Sequence, residues 1–167
     1  ARAVACDVAD LAQVAAAFDG HVAAYGGCDI AFANAGWDAG NGFWSPENRR
    51  NPEGQIDVYD PERWYRSIAI NLTGVFHTVR EAARVMKANE ATIGRRGGSI
   101  ICTSSNAAEV NEAIVGVPYM PAKAAVNHLV RHMAMELGAY NIRINAILPG
   151  PFITNIAGGR LRNAADR

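Results

Sequence analysis

The alternation of short apolar runs with helical patterns is the feature that most constrains how this chain can fold. Four apolar runs have the character of strands, at residues 2–8, 28–36, 97–105 and 142–150. Three segments between them carry helical signals, at residues 10–25, 60–88 and 120–140. Strands of nearly continuous apolar character that alternate with helices predict a parallel sheet with both faces covered. The chain is therefore predicted to adopt an α/β fold.

Local signals mark where two of these helices begin and end. Asp60 followed by Pro61 is typical of an N-cap and a first helical residue. The pair Gly26-Gly27 is a stop signal after the first helical pattern. These signals favour one helix that ends near Tyr25 and a long one that begins at Pro61.

Distinctive polar or turn residues follow every predicted strand. They are Asp7, the run Asn34-Ala35-Gly36, the pair Ser104-Ser105 and the pair Pro149-Gly150. Ligands of open parallel sheets bind at the carboxyl ends of the strands. The sequence therefore predicts a binding site at that edge.

Tyr119 and Lys123 stand four residues apart at the start of the third helical pattern, which we expect to be helical from about Pro121. Residues at this spacing share one helix face. An ammonium beside a phenol favours the phenolate and lowers its pKa, as a general acid–base requires. The spacing alone is only a hypothesis, because a tyrosine and a lysine can be so spaced by accident.

Composition excludes several classes of protein. The 167 residues suit one domain, and the formal net charge of zero gives no basic excess for nucleic acid. No apolar run is long enough to span a membrane. Cys6, Cys28 and Cys102 form no CxxC spacing, which favours a reducing compartment and hence the cytoplasm.

These motifs together resemble the short-chain dehydrogenase/reductase family. The matching motifs, in the family's order, are Asp7-Val8, Asn34-Ala35-Gly36, Asn71 within INLTGVF, Ser105 after GSIICTS, Tyr119-x-x-x-Lys123, and Pro149, Gly150 and Thr154 within ILPGPFIT. The resemblance implies a Rossmann-like doubly wound sheet and an NAD(P)-dependent oxidoreductase that interconverts a secondary alcohol and a ketone.

The resemblance also implies catalytic roles. Tyr119 would be the general acid–base, and Lys123 would lower its pKa and hold the nicotinamide ribose. Ser105, the second serine of the pair as in the family, would bind the substrate oxygen, although it lies one residue farther from Tyr119 than is usual there. Ser104 is kept in reserve, because serines at strand ends commonly bond local backbone. Asn71 would hold a water that relays protons from Lys123. Taken alone, Asn71 reads more readily as a satisfied polar residue in a packed helix, and its register with the other motifs reverses that preference.

The same resemblance assigns binding residues for NAD or NADP and for a small alcohol or ketone. The cofactor residues are Asp7, Val8, Asn34, Ala35, Gly36, Tyr119, Lys123, Pro149, Gly150, Phe152 and Thr154. Ser105, Asn106 and Trp37 are candidates for substrate contact. No metal is expected, because His128 and His132 lack a third ligand. The family also implies a homo-oligomer, a dimer or tetramer, built on the helices at 61–88 and 120–140.

The chain departs from the family's pattern in two respects. The first two βα units, with their glycine-rich cofactor turn, and the C-terminal strand are absent, so residues 1–167 are expected to be one partial domain of a longer enzyme. The segment at about 37–59 is longer than usual and contains Trp37, Phe43, Trp44, Glu47, Arg49 and Arg50. It is either a contact to substrate or subunit, or a solvated insertion.

Two other functions stay open. One is a non-catalytic nucleotide-binding or regulatory module of the same fold. The other is a structural subunit that uses the same helices for assembly. The set of Asn71, Ser105, Tyr119 and Lys123 favours the enzyme, because a binding module needs no such set.

Overall fold

The computed structural model describes residues 2–150, which form a three-stranded sheet packed against helices. The helices are α1 Leu11–Tyr25, α2 Pro61–Ile68, α3 Gly74–Ile93 and α4 Tyr119–Gly138. The strands are β1 Ile30–Ala33, β2 Gly98–Thr103 and β3 Ile142–Ile147. A π-helical turn, Ala69–Thr73, joins α2 to α3, and short 3₁₀ turns lie at Pro52–Gly54 and Asn106–Ala108. The predicted α/β alternation is confirmed.

The sheet is parallel, with the order β1-β2-β3. Its register aligns Ala31 with Ile100 and Ile100 with Ile144, and these three buried side chains share one face. Helices α3 and α4 pack on that face through apolar side chains that include Val75, Val79, Val126 and Val130. A fully buried aliphatic side chain contributes roughly 1.5–3 kcal/mol, so this layer is the main source of stability.

The opposite face of the sheet carries exposed apolar side chains. Ile30 is 68% exposed and Phe32 is 52% exposed, in alternation with the buried Ala31 and Ala33. Period-two alternation follows from the strand pleat. Within residues 2–150, helices therefore cover one face of this Rossmann-like sheet.

The predicted strand at residues 2–8 is not formed. Arg2–Cys6 has no strand assignment and is exposed, and the pairings of the described sheet involve only β1, β2 and β3. A strand is held by hydrogen bonds to a neighbouring strand. No described strand lies beside this run, so its apolar composition alone does not make it a strand.

Capping follows the local signals closely. The Asp10 carboxylate accepts hydrogen bonds from the amides of Ala12 and Gln13, which makes it the N-cap of α1. Gly26 ends α1 with φ +84°, a left-handed conformation that glycine adopts without a steric cost. Asp60 caps α2 through the amide of Glu62, as predicted.

Helix α4 begins at Tyr119, two residues earlier than predicted. A turn in which the amide of Tyr119 donates to the carbonyl of Gly116 leads the chain into the helix. Pro121 therefore lies inside the first helical turn, where a missing N–H breaks no helical bond. None of the helices in residues 2–150 has the length and apolarity needed to cross a membrane.

Candidate active site

The loops after the three strands meet at the carboxyl edge of the sheet. The Thr103 hydroxyl donates to Oδ1 of Asn34 at 2.8 Å, which joins the end of β2 to the loop after β1. The amide of Asn106 donates to the carbonyl of Pro149 at 3.0 Å, which joins the loops after β2 and β3. The polar motifs at the ends of β1, β2 and β3 therefore lie at one edge.

Tyr119 and Lys123 lie on the first two turns of α4, above the end of β2. Lys123 is only 2% exposed, and its Nζ donates to the carbonyl of Thr103 at 2.9 Å. The same Nζ lies 5.6 Å from the centroid of the Tyr119 ring. The predicted pair is thus brought together, with the lysine held by the end of the strand.

Burial changes the titration of this lysine. It lowers the pKa of Lys123 from 10.5 to about 8, and Cys102 is the lesser, opposing influence. Burial also raises the pKa of the Cys102 thiol to about 11, so the thiol is neutral at physiological pH. Lys123 therefore carries its charge at neutral pH but can exchange its proton close to that range.

The expected lowering of the Tyr119 pKa by Lys123 is not observed. Burial raises the pKa of the phenol, and the negative charge of Asp38 raises it further, while a hydrogen bond with Ser105 lowers it. The Lys123 ammonium is directed to the Thr103 carbonyl. Desolvation of the phenolate is therefore the largest influence on the pKa of Tyr119.

The two serines after β2 have different surroundings. The Ser104 hydroxyl is buried and donates to the carbonyl of Lys123 at 3.1 Å, so it fastens the strand end to α4. The Ser105 hydroxyl accepts from the amide of Ala107 and faces the Tyr119 phenol. Ser105 is therefore the serine that can share a substrate oxygen with Tyr119.

Asn71 lies in the π-helical turn and is fully buried. Its Oδ1 accepts from the amide of Trp37 at 3.1 Å, and its Nδ2 donates to the carbonyl of Trp37 at 2.9 Å. Nδ2 also donates to the hydroxyl of Ser67 at 3.2 Å. Both amide hydrogens are therefore used within the protein, and the side chain fixes the loop after β1.

The Asp7-Val8 pair is held by a residue that sequence reasoning missed. Nδ1 of His77 on α3 lies 2.9 Å from the carbonyl oxygen of Val8. Beside it, a Cβ on Gly74 would lie 2.6 Å from Cγ2 of Val8, so only glycine fits there. No spacing in the sequence singles out His77, because the contact spans 69 positions.

The other predicted cofactor residues are accessible at the same edge. Asn34, Ala35, Gly36, Asp7 and Gly150 are exposed, and Pro149 is half-buried. Phe152 and Thr154 lie outside the described residues.

Two predicted substrate residues are partly buried near the strand ends. The half-buried ring of Trp37 lies 5.3 Å from the guanidinium carbon of Arg66, a cation–π distance. Asn106 is also half-buried, and its Oδ1 accepts a hydrogen bond from the Ser105 hydroxyl at 3.3 Å. Asn106 therefore adjoins Ser105, whereas the ring of Trp37 is engaged with Arg66.

Comparison with known proteins decides the family. A family model described as short chain dehydrogenase matches residues 1–164. The chain belongs to the short-chain dehydrogenase/reductase family. It is 36% identical to (+)-borneol dehydrogenase 1 of Salvia officinalis over 156 residues, covering 92% of this chain and 52% of that protein. It is 35% identical to L-rhamnose 1-dehydrogenase (NAD(P)(+)) of Azotobacter vinelandii over 156 residues, covering 93% and 54%.

Solved structures agree with this assignment. The fold matches that of 7α-hydroxysteroid dehydrogenase complexed with NADH and 7-oxo glycochenodeoxycholic acid, with a TM-score of 0.75 and 31% identity. The match covers 93% of this chain and 52% of that structure. This short-chain dehydrogenase sequence thus spans about half the length of the curated relatives that it matches.

In this member of the family, the long segment at 37–59 is an ordered part of the site wall. Asn41 forms an antiparallel bridge with Val115, and the amides of Gly42 and Trp44 donate to the carbonyls of Ile114 and Ala113. Residues 113–115 belong to the loop between Ser105 and Tyr119. Residues 41–44 therefore pack on the loop that joins two candidate catalytic residues, whereas residues 46–50 of the same segment are exposed to solvent.

The described part of the chain contains no group of three or more His, Cys, Asp or Glu side chains that could hold a metal ion. His128 and His132 are exposed along α4.

Proposed function

We propose that this protein is an NAD(P)-dependent oxidoreductase that interconverts a secondary alcohol and a ketone, with Tyr119 as general acid–base. The observation that carries the proposal is the meeting of Tyr119, Ser105 and Lys123 at the carboxyl end of β2. The names of the relatives above, which are dehydrogenases of hydroxyl compounds, support the same reaction class.

Each residue has a chemical task in this reaction. In oxidation, the Tyr119 phenolate accepts the proton of the alcohol hydroxyl; in reduction, the phenol donates that proton to the carbonyl oxygen. Ser105 donates a hydrogen bond to the substrate oxygen and stabilises its developing negative charge. A bound nicotinamide supplies or accepts the hydride at the reacting carbon.

The residues at the sheet edge fit part of a dinucleotide. Asp7 and Val8, with Asn34, Ala35 and Gly36, would hold the adenosine end, and the Val8 backbone there is fixed by His77. Lys123 and Pro149 would hold the nicotinamide ribose and carboxamide end. The chemistry of this donor set, a buried ammonium and exposed backbone groups, suits hydroxyl and amide groups of NAD or NADP.

The proposed acid–base role requires positive charge beside the phenolate. Because the pKa of Tyr119 is raised in the chain without a bound cofactor, only a small fraction of Tyr119 is phenolate at neutral pH. Lys123 is the cation in place, with its Nζ 5.6 Å from the Tyr119 ring centroid. A shift of this ammonium from the Thr103 carbonyl towards the phenol would lower the pKa of Tyr119.

For Asn71 we propose a positioning role. Both hydrogens of its amide are bonded to protein oxygens, so a relay water held by Asn71 would use its backbone carbonyl. A π-helical turn leaves backbone groups without the regular helical partner, and such turns occur often at functional sites.

Subunit assembly is also part of the proposal. Helices α2, α3 and α4 carry large exposed apolar side chains, Tyr65, Phe76 and Met135 among them. Exposed apolar patches on helices favour burial between subunits. We propose a homo-oligomer formed through these helices, and light scattering of Met135→Glu against the parent protein tests it: loss of the dimer or tetramer is expected.

We propose a cytoplasmic location. Cys6, Cys28 and Cys102 are all free thiols, with Cys28 and Cys102 buried. Free thiols accord with a reducing compartment. Fractionation of cells that produce the tagged full-length protein tests the location.

The decisive experiment uses the full-length protein and its Tyr119→Phe variant. Reduced-cofactor absorbance at 340 nm is followed with alcohols and ketones, and cofactor binding is measured separately by fluorescence. We expect the variant to lose 10²–10⁴-fold in kcat while it retains cofactor binding, because only the proton donor is removed.

Tyr25→Phe is the matched control, since Tyr25 is an exposed tyrosine at the end of α1. Equal activity of the unsubstituted protein and the Tyr119→Phe variant would contradict the acid–base role of Tyr119. Tight cofactor binding by a parent without turnover of any substrate would favour a non-catalytic binding module.

A further inference from the structure

Asp38 is a carboxylate at the site that the proposed reaction does not use. It lies two residues after Gly36, is half-buried, and accepts a hydrogen bond from the amide of Gly40 to its Oδ1 at 2.9 Å. Within residues 2–150, its Oδ2 accepts no hydrogen bond, and none of the ion pairs involves it. One oxygen thus shapes a tight turn, and the other is available to a ligand.

The turn that carries Asp38 is tied to Tyr119 through backbone hydrogen bonds. The carbonyl of Gly40 accepts from the amide of Gly116 at 2.9 Å, and the carbonyl of Gly116 accepts from the amide of Tyr119 at 3.1 Å. On the other side, the Tyr59 hydroxyl donates to the carbonyl of Ala39. The backbone that follows Asp38 is therefore tied both to the turn before Tyr119 and to Tyr59.

The groups that face this carboxylate show where its charge acts. It raises the pKa of Tyr119, behind the larger effect of burial, and it raises the pKa of Tyr59, where Arg63 opposes it. Ser105 and Lys123 are the other polar groups around the Tyr119 phenol. The Asp38 charge thus acts on both phenols, Tyr119 and Tyr59.

The geometry points to Asp38 as a specificity-determining residue: its Oδ2 accepts a hydrogen bond from a second hydroxyl group of the substrate. The favoured substrates are then hydroxy ketones and the corresponding diols. Substrates with a carboxylate or phosphate near the reacting carbon are disfavoured by like-charge repulsion. This inference rests on the proposed alcohol–ketone reaction at Tyr119.

The strength of the effect follows from the hydrogen bond. A bond to a charged acceptor is worth more than a neutral one, and loss of such a partner corresponds to roughly tenfold or more in kcat/KM. Asn in place of Asp keeps the side-chain oxygen that accepts from Gly40, so the turn is retained. It removes the charge and turns the second position from an acceptor into a donor.

The test compares Asp38→Asn with the parent on two matched ketones, acetoin and 2-butanone, which differ by one hydroxyl group. We expect Asp38→Asn to lower the ratio of kcat/KM for acetoin to that for 2-butanone by about tenfold. The acid limb of the pH profile for alcohol oxidation should move to lower pH, because the charge that raises the pKa of Tyr119 is gone. Asp57→Asn, an exposed residue of the same segment, is the control that leaves the ratio unchanged.

Three results would overturn this role. An unchanged ratio with an equal loss on both ketones would make Asp38 a purely structural residue. A higher kcat/KM of the unsubstituted protein for 2-butanone than for acetoin would contradict the proposed preference for hydroxy ketones. If the unsubstituted protein turned over neither ketone and none of a wider panel of alcohols, the proposed reaction itself would be contradicted. If turnover depended on Tyr119 but Asp38→Asn left the ratio of kcat/KM for acetoin to that for 2-butanone unchanged, only the role of Asp38 would be contradicted.

Discussion

The side chain of Asn71 forms two hydrogen bonds with the backbone of Trp37, a residue 34 positions away in the chain. The Asn71 Oδ1 accepts from the Trp37 amide, and the Asn71 Nδ2 donates to the Trp37 carbonyl. The side-chain amide therefore pairs with the backbone of Trp37 as the peptide groups of a neighbouring strand would. This contact ties the π-helical turn between α2 and α3 to the loop after β1. The loop that precedes the site wall is therefore anchored from the helix layer.

Asn71→Ala is expected to free this loop. The partly buried backbone N–H and carbonyl of Trp37 would lose their partners, at a cost of up to about 1–3 kcal/mol for each group left unsatisfied. Activity should fall, and hydrogen exchange of the Trp37 amide should accelerate strongly. Thermal denaturation and exchange measured by mass spectrometry check both effects.

A matched control lies further along α3. Asn89 is equally buried and bonds the amide and carbonyl of Cys28, at the other end of β1. Asn89→Ala should lower stability to a similar extent without a change in the exchange of Trp37. If Asn71→Ala left both that exchange and the activity unchanged, its positioning role would be excluded.

Gly74→Ala is expected to weaken cofactor binding. The added Cβ would lie 2.6 Å from Cγ2 of Val8, and a β-branched side chain has few rotamers through which to move away. The Asp7-Val8 segment would then shift from the sheet edge. Titration of NADH and NADPH by fluorescence should show a Kd raised severalfold or more.

Gly20→Ala is the control for this change. Nothing lies within 4 Å of the position of its Cβ on α1, so alanine there should stabilise the helix by about 0.5–1 kcal/mol. Cofactor affinity should be unaffected. If Gly74→Ala left the Kd for NADH and NADPH unchanged, a role of Val8 in cofactor binding would be contradicted.

Lys123→Met is expected to stabilise the protein at neutral pH. The pKa of Lys123 is about 8 when folded, against an ordinary 10.5, so between these values the unfolded chain binds more protons and stability rises with pH. Below pH 8 the full cost of the buried charge is present, so the substitution should raise the unfolding free energy by roughly 1–3 kcal/mol there. Chemical denaturation at pH 7, 9 and 10.5 checks this.

The gain from Lys123→Met should shrink as the pH rises through 8 towards 10.5 and be smallest above that value, where Lys123 is neutral in both states. Catalysis should be lost at every pH. Lys87→Met serves as the control, because exposed Lys87 forms a surface pair with Glu136 that contributes about 0–1 kcal/mol. A gain that did not vary with pH would show that burial of the charge is not its cause.

Gly116→Ala is expected to separate the 37–59 segment from the loop before Tyr119. Its Cβ would lie 2.5 Å from the carbonyl oxygen of Ala39 and 2.8 Å from the hydroxyl of Tyr59. Limited proteolysis should cut the segment faster, and KM for substrate should rise. Gly138→Ala, at the end of α4 with no atom within 4 Å of the new Cβ, should do neither. Equal proteolysis of both variants would contradict this packing.

What the sequence predicted correctly depends on local physics. The cap at Asp60 and the stop at Gly26 were visible as local turn chemistry, because each involves residues only a few positions apart. The proximity of Tyr119 and Lys123 followed from the helical period alone. The common edge of the polar motifs followed from the geometry of parallel sheets.

What the sequence did not predict depends on tertiary contacts. An apolar run at residues 2–8 needs a neighbouring strand before it becomes one. The direction of the Tyr119 pKa shift depends on burial and on the charge of Asp38, which lies 81 positions away in the chain. The contact of His77 with Val8 is likewise invisible to any local pattern.

The pairing of residues 41–44 with residues 113–115 has a consequence for protein engineering. Two stretches that are far apart in the gene form one hydrogen-bonded unit beside Tyr119. A graft that exchanged only one of the two stretches would disturb the hydrogen bonds that residues 41–44 form with residues 113–115. Variant libraries that change one stretch at a time would therefore contain many proteins in which this pairing is lost. Altering the selectivity of the proposed reaction therefore calls for exchanging both stretches together.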